Sequence, residues 1–201
     1  MATHTNAPIR GRLLRTAAPA AEPVSVADAK KQLEIPSSLN DHDDQLADLI
    51  IAAREQVEHD TQYACVSQTF EYILDDFPHD GSAIELPRQP VTSLTSVSYQ
   101  DGATTETLAN SVADLDRQKR RLVLQYDQEW PSIEKQNDAV VITFVAGYAS
   151  QAAVPRLLRQ AILLQVAKWF EDRDMMSMAT VQQMDAAYEL LIRRLMRSSY
   201  P

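Results

Sequence analysis

A helix that begins near Pro155 constrains this chain more than any other feature, because it is apolar on almost every side. Proline suits the first position of a helix, and the segment from there to Phe170 has no wide polar face. One apolar stripe is enough for a helix at the surface of a monomer. This segment offers more than one stripe, namely Leu157, Leu158, Ala161, Ile162, Leu163, Leu164, Val166, Ala167, Trp169 and Phe170. The helix therefore needs cover on more than one side.

Hydrophobic periodicity predicts three further helices. The segment 25–33 opens with Ser25 and Asp28, which are spaced as in a capping box. The segment 40–64 has one apolar stripe at the spacing i, i+3, i+4, i+7 and i+11, formed by Leu46, Leu49, Ile50, Ala53 and Val57. The segment 180–200 repeats that spacing in Met184, Ala187, Tyr188, Leu191 and Leu195.

Between the two pairs of helices the pattern changes to the alternation that is typical of strands. The Asp101-Gly102 pair is a hairpin signal that joins two of them. The predicted strands are 68–78, 83–86, 94–99, 104–108, 121–126 and 139–145. The expected fold is therefore α+β: a four-helix bundle core of two N-terminal and two C-terminal helices (the latter within 155–200), with a central, mostly antiparallel β-sheet insertion over 66–147.

Residues 1–22 are predicted to be an extended N-terminal arm, either disordered or bound to a partner, because they contain too few apolar residues to build a core. Residues 23–201 are then a single domain. The arm holds Arg10, Arg12 and Arg15, and no acidic residue precedes Glu22.

Charge is distributed unevenly along the chain. The ends 1–21 and 188–201 carry +3 and +2 of a net charge of −9, so the 166 residues between them carry −14. A body this acidic repels nucleic acid. The basic ends suit acidic partner surfaces, although arginine is also common near helix C-termini because of the helix dipole.

A search for chemistry finds no glycine-rich phosphate loop and no HExxH, CxxC or GxSxG motif. His42 lies among acidic residues at a helix start, where Asn40 or Asp41 is expected to cap the helix. Cys65 is the single cysteine, and a Cys65/His59 pair is the one arrangement that suggests catalysis. Without such motifs, no metal site and no cofactor are expected. No membrane partner is expected either, since no apolar run reaches membrane-spanning length.

Trp130 lies in a predicted loop and is a possible interface anchor. The alternative is that its ring packs on its own sheet. Trp169, within the apolar helix, is expected to belong to the core.

Several blocks of the sequence, in this order and spacing, resemble the head–tail connector (adaptor) proteins of tailed bacteriophages and the related adaptors of gene transfer agents. The resemblance covers about 21–173. The blocks are 21-AEPVSVADAKKQLEI-35, 42-HDDQLADLIIAAREQVEHDTQYA-64, 67-SQTFEYILDDFP-78 with 84-IELPRQPVTSLTSVSY-99, and 140-VVITFVAGYASQAAVPRLLRQAILLQVAKWFEDR-173.

This resemblance implies a structural protein of the virion neck that is assembled in the bacterial host cytoplasm, and not an enzyme. Members of the family form a ring, usually of twelve subunits, beneath the portal. The ring prolongs the channel through which double-stranded DNA passes without specific binding, and it docks a stopper or other neck protein. The alternatives are a small cytosolic enzyme that uses Cys65 and His59, and an unrelated α+β interaction adaptor.

Two sets of partner-binding residues follow as hypotheses. The C-terminal set is expected to dock on the portal and consists of Arg193, Arg194, Arg197 and Tyr200. The arm set is expected to reach a neighbouring subunit or a neck component and consists of Arg10, Arg12 and Arg15. Deletion of 193–201 is expected to abolish portal binding while leaving the fold intact.

Overall fold

The structure is a computed structural model. It describes residues 11–102, 104–118, 120–133, 136–171 and 178–198, and in the last of these segments the side chains of 184–196. The chain is α+β, with four helices and mostly antiparallel sheets, as predicted. It divides into two compact units, a β-rich unit of 11–18 with 68–147 and a helical unit of 19–67 with 148–198.

Within its described residues, the helical unit contains four α-helices and one short 3-10 helix, Gln151–Ala153. The α-helices are α1 (Val26–Gln32), α2 (Asp43–Thr61), α3 (Arg156–Glu171) and α4 (Met178–Ser198). Each begins and ends within three residues of its predicted segment, close to the usual uncertainty where helices end.

The predicted capping box of α1 is confirmed. The backbone N–H of Asp28 donates to Ser25 Oγ at 3.1 Å, and the backbone N–H of Ser25 donates to Asp28 Oδ2 at 2.9 Å. These bonds, the backbone one first, hold the pKa of the Asp28 carboxyl below its usual value. The segment therefore starts its helix with local bonds alone.

Two predicted helix starts are displaced by one or two residues. The N-cap of α2 is His42, and not Asn40 or Asp41. The side chain of Asn40 is engaged elsewhere, because its Oδ1 accepts a bond from the buried Lys30 amine at 3.0 Å. Helix α3 begins at Arg156, one residue after Pro155.

All four helices contribute to one apolar core. Helix α3 contacts each of the other three helices, which explains why it has so little polar surface. The fully or nearly fully buried helical residues of this core are Ala29, Leu46, Ile50, Ala53, Val57, Leu158, Ala161, Ile162, Val166, Ile192 and Leu195. Much of the apolar excess on α3 is therefore covered within its own chain.

The part of the β-rich unit that the structure describes contains two sheets. The larger has five strands in the order β1-β2-β8-β4-β5, and the smaller has three in the order β3-β7-β6; the paired strands are antiparallel throughout. The strands are β1 (Arg12–Ala17), β2 (Gln68–Leu74), β3 (Ile84–Glu85), β4 (Val91–Asp101), β5 (Thr104–Thr107), β6 (Ala113–Asp116), β7 (Arg121–Leu124) and β8 (Val140–Ala146). Strands β1 and β6 were not predicted from the sequence.

Strand β1 comes from the segment predicted to be an arm. It runs antiparallel to β2, with Arg12 opposite Ile73 and Arg15 opposite Phe70. Gly11 precedes it, and a Cβ at that position would clash with the carbonyl oxygen of Ile73. Edge pairing uses backbone groups and does not require an apolar core of its own, so the low apolar content of this segment did not reveal it.

Candidate interaction surfaces

Helix α4 has a buried face and an exposed face within its described side chains. Ile192 and Leu195 belong to the core, whereas Arg193, Arg194 and Leu190 are exposed, Leu190 to 69%. An apolar side chain flanked by guanidinium groups is a composition that suits a protein interface. Arg197 lies within α4 but its side chain is outside the described residues, and Tyr200 is outside them altogether.

Polar contacts hold α4 against α2 and α3. The Tyr188 hydroxyl donates to Asp60 Oδ2 on α2 at 2.8 Å, and the Lys168 amine of α3 pairs with Asp185. Partial burial raises the pKa of Asp60, but bonds from Gln56, Tyr188 and His59 outweigh it and hold that pKa below its usual value. The exposed face of α4 is therefore presented by a helix that is anchored on its other side.

The basic residues of the N-terminal segment lie on strand β1. Arg12 and Arg15 are both exposed, and Arg12 pairs with Asp138 Oδ2 at 3.0 Å. An ion pair this exposed contributes little to stability. Arg10 lies outside the described residues.

Trp130 is enclosed by its own unit. Its ring is 8% exposed and stacks on Phe77 at a centroid distance of 5.2 Å, and its indole N–H donates to the Ser82 carbonyl at 3.0 Å. This is the packing alternative considered from the sequence, while the role of Trp130 as a partner anchor stays a prediction. Tyr126, in the same loop, is 99% exposed and was not selected from the sequence.

Cys65 and His59 do not have the surroundings of a nucleophile and its base. Cys65 is fully buried, and burial, followed by the charge of Glu58, raises the pKa of its thiol. His59 is exposed, with its Nδ1 at 3.2 Å from Asp60 Oδ1. Because the thiolate is the reactive form, a buried thiol that retains its proton does not support the enzyme alternative.

A buried ion cluster lies between α2 and the segment before α1. Arg54, only 3% exposed at its side chain, contacts Glu22 Oε2 at 2.8 Å and Glu58 Oε2 at 2.9 Å. Burial lowers the pKa of Arg54, but the two carboxylates outweigh it and the pKa is raised overall. The second oxygen of Glu58 accepts the backbone N–H of Cys65 at 2.7 Å. The cluster thus joins three segments of the helical unit and is structural.

The described residues contain no group of three metal-ligating side chains close enough together to hold an ion. His42, which lies among acids in the sequence, places its ring edge-on to Phe170 at a centroid distance of 5.5 Å. Among the helices that the structure describes, none has the length and apolar character needed to span a bilayer.

The fold is α+β, and the features described above are a packed core and exposed surfaces on α4 and β1 that suit contact with other proteins. Three solved structures show where such a fold occurs. A chain in the neck of an empty gene transfer agent particle, computed with C6 symmetry, has a TM-score of 0.73 and 25% identity; the match covers 92% of this chain and 94% of that one. No family model and no curated protein matches the sequence.

The other two structures come from the same kind of particle. A chain in the virion of the native gene transfer agent particle has a TM-score of 0.73 and 26% identity, with 91% of this chain and 94% of that chain covered. A chain in the neck of the native particle, computed with C12 symmetry, has a TM-score of 0.69 and 26% identity, with 92% and 94% covered. The resemblance to gene transfer agent adaptors that the sequence blocks indicated is confirmed.

Proposed function

We propose that this protein is a structural head–tail adaptor in the neck of a tailed phage or phage-like particle. It forms a ring of twelve subunits beneath the portal, extends the DNA channel and docks the next neck protein, after assembly in the host cytoplasm. The observation that carries the proposal is the likeness to neck chains of gene transfer agent particles over 92% of the chain. The buried Cys65 thiol accords with a structural role and not an enzymatic one.

A ring fits the symmetry of the similar chains, since two of their structures were computed with C6 and C12 symmetry. A cyclic ring uses a heterologous interface, in which two different faces of each subunit are buried. In this proposal the four helices form a bundle core. Exposed apolar side chains, such as Ile51 on α2 and Leu157 on α3, are then available to a neighbouring subunit.

The charge of the chain suits a channel through which DNA slides. The residues between the two basic ends carry −14. Each phosphate that a protein neutralises adds affinity through counterion release, so an acidic body avoids holding the DNA that has to move past it.

The portal-docking surface is proposed to be the exposed face of α4, with Arg193, Arg194 and Leu190 at its centre. Arg197 and Tyr200 extend the surface in the sequence-based hypothesis. The deletion of 193–201 is not a clean test, however, because it also removes Leu195, which is 5% exposed and belongs to the core. Point substitutions on the exposed face separate docking from folding.

The experiment is co-assembly with the portal protein of the same particle, measured by mass photometry and negative-stain imaging. The wild-type chain should add a ring to the portal, whereas Arg193→Glu with Arg194→Glu should lose at least about tenfold in affinity, which is roughly 1.4 kcal/mol. The matched control is Arg117→Glu with Arg156→Glu, two exposed arginines on other surfaces, which should co-assemble normally. Equal loss in both double variants would remove the docking assignment, and no ring with the wild-type chain would refute the proposed function.

A further inference from the structure

We propose that neighbouring subunits in the ring join their five-stranded sheets, with β5 of one copy pairing in parallel with β1 of the next. This inference rests on the proposed function, because it requires a ring. It gives strand β1 and its Arg15 a defined partner, a second copy of the same chain.

Both outer strands of the sheet have an open edge among the residues that the structure describes. Strand β1 pairs with β2 and β5 pairs with β4, and neither has a strand on its other side. All four residues of β5 are exposed, as are five of the six in β1. An open strand edge carries unpaired backbone N–H and C=O groups and is a template for pairing with another chain. The sheet therefore has two different edges that can each pair with a strand of another chain, and a heterologous ring interface needs two such different surfaces.

The strand directions fix the type of pairing. Four successive antiparallel steps connect β1 to β5, so these two strands run in the same direction. A small rotation about a ring axis leaves the strand direction of the next copy nearly unchanged. The edge β5 of one copy and the edge β1 of its neighbour are therefore parallel, with the evenly spaced bonds of a parallel pair.

The registers place opposite charges on one face of the sheet. Glu106 lies opposite Tyr99, in a row that continues through Val140 to Leu74. Arg15 lies opposite Phe70, four residues from Leu74 on β2. Side chains an even number of residues apart on a strand share a face, so Glu106 and Arg15 project from the same face at opposite edges.

The same registers fix the offset between copies. Without an offset between the copies, Glu106 of one copy would lie beside Gly11 of the next. Thr107 would then be the one residue of β5 that lies beside β1. An offset of four residues, about 13 Å, places all of β5 beside Leu13–Thr16 and brings Glu106 next to Arg15. It also covers Leu14, which is 40% exposed, with Thr105. Sheets that close on themselves require such a stagger.

Cysteine cross-linking of assembled rings tests this pairing. Leu14→Cys with Thr105→Cys should give a ladder of covalent multimers on oxidation, because the two positions lie side by side on one face across the interface. The matched control, Leu14→Cys with Thr104→Cys, moves one cysteine to the other face and should give far less. Cys65 is fully buried and common to all variants.

The charge pair gives a second measurement. Arg15→Glu should reduce ring formation several-fold, and the added change Glu106→Arg should restore it. Wild-type rings without a cross-linked ladder in the test variant, or with equal ladders in test and control, would overturn the strand pairing and leave the adaptor function standing. If the wild-type chain forms no ring with a portal, both proposals are wrong.

Discussion

Replacing Arg54 with methionine is expected to destabilise the helical unit by about 3 to 5 kcal/mol. Its side chain is 3% exposed and that of its partner Glu58 is 8% exposed, so the substitution leaves a buried carboxylate without its cation. Removal of one member of a buried ion pair costs about this much because the other charge stays uncompensated. Glu22 is 28% exposed and can be rehydrated, so Glu22→Gln should cost only about 1 kcal/mol.

Two variants separate the charge effect from the packing effect. If the cost of Arg54→Met comes from the unpaired carboxylate, the double variant Arg54→Met with Glu58→Leu should recover part of it, since well-packed apolar residues replace buried ion pairs at little cost. One bond is not replaced, because the backbone N–H of Cys65 donates to Glu58 in the wild-type chain. That bond limits the recovery by about 1 to 3 kcal/mol.

Urea unfolding at neutral pH measures these differences. Circular dichroism reports the helices, while fluorescence combines Trp169 in the helical unit with Trp130 in the β-rich unit. A domain of this size has a total stability of about 5 to 15 kcal/mol, so the expected loss shifts the midpoint clearly. A cost below about 1 kcal/mol for Arg54→Met would show that the cluster is hydrated in solution, and a double variant less stable than Arg54→Met alone would contradict the explanation by the unpaired carboxylate.

Two further predictions concern protons. Because the folded pKa of Asp60 is below the usual 3.8, its contribution to stability is complete above that value and is lost as the pH falls through the lower folded pKa. Asp60→Asn should therefore flatten the pH dependence of the urea midpoint in this acidic range; a curve equal to that of the wild-type chain would contradict the assignment. The buried, protonated Cys65 should react with a thiol reagent at pH 8 only as fast as the protein opens. A rate close to that in urea would show that the thiol is accessible.

The sequence predicted what depends on local pattern. The stripe of α2 and the Ser25–Asp28 capping box are set by residues within a few positions of one another, so they could be identified without the structure. The alternating segments of β2 and β8 were predicted for the same reason. The sequence blocks then led to the correct class of similar proteins.

Features that depend on distant partners were not predicted. Strand β1 pairs with a segment more than fifty positions away in the chain. Arg54 occupies a position beside the apolar stripe, where a charged residue usually faces water, and its pairing with the distant Glu22 and with Glu58 stabilises it in a buried position. Trp130 was assigned to a loop, and its contact with Phe77 is also long-range. Residues that bind a partner cannot be identified from one chain's pattern, because the partner selects them.

The pairing of β1 with β2 has a consequence for chain entropy. These strands border the segment 18–67, which leaves the sheet, forms α1 and α2 and returns. The pairing closes that segment into a loop of about fifty residues, at an entropic cost of roughly 3.5 kcal/mol from loop length alone. This cost falls on the folding chain, while the segment is still flexible; in the folded protein α1 and α2 are held in the helical core, so detachment of β1 frees only the strand itself. The pairing of β1 with β2 is therefore entropically easier after the two helices have packed than before.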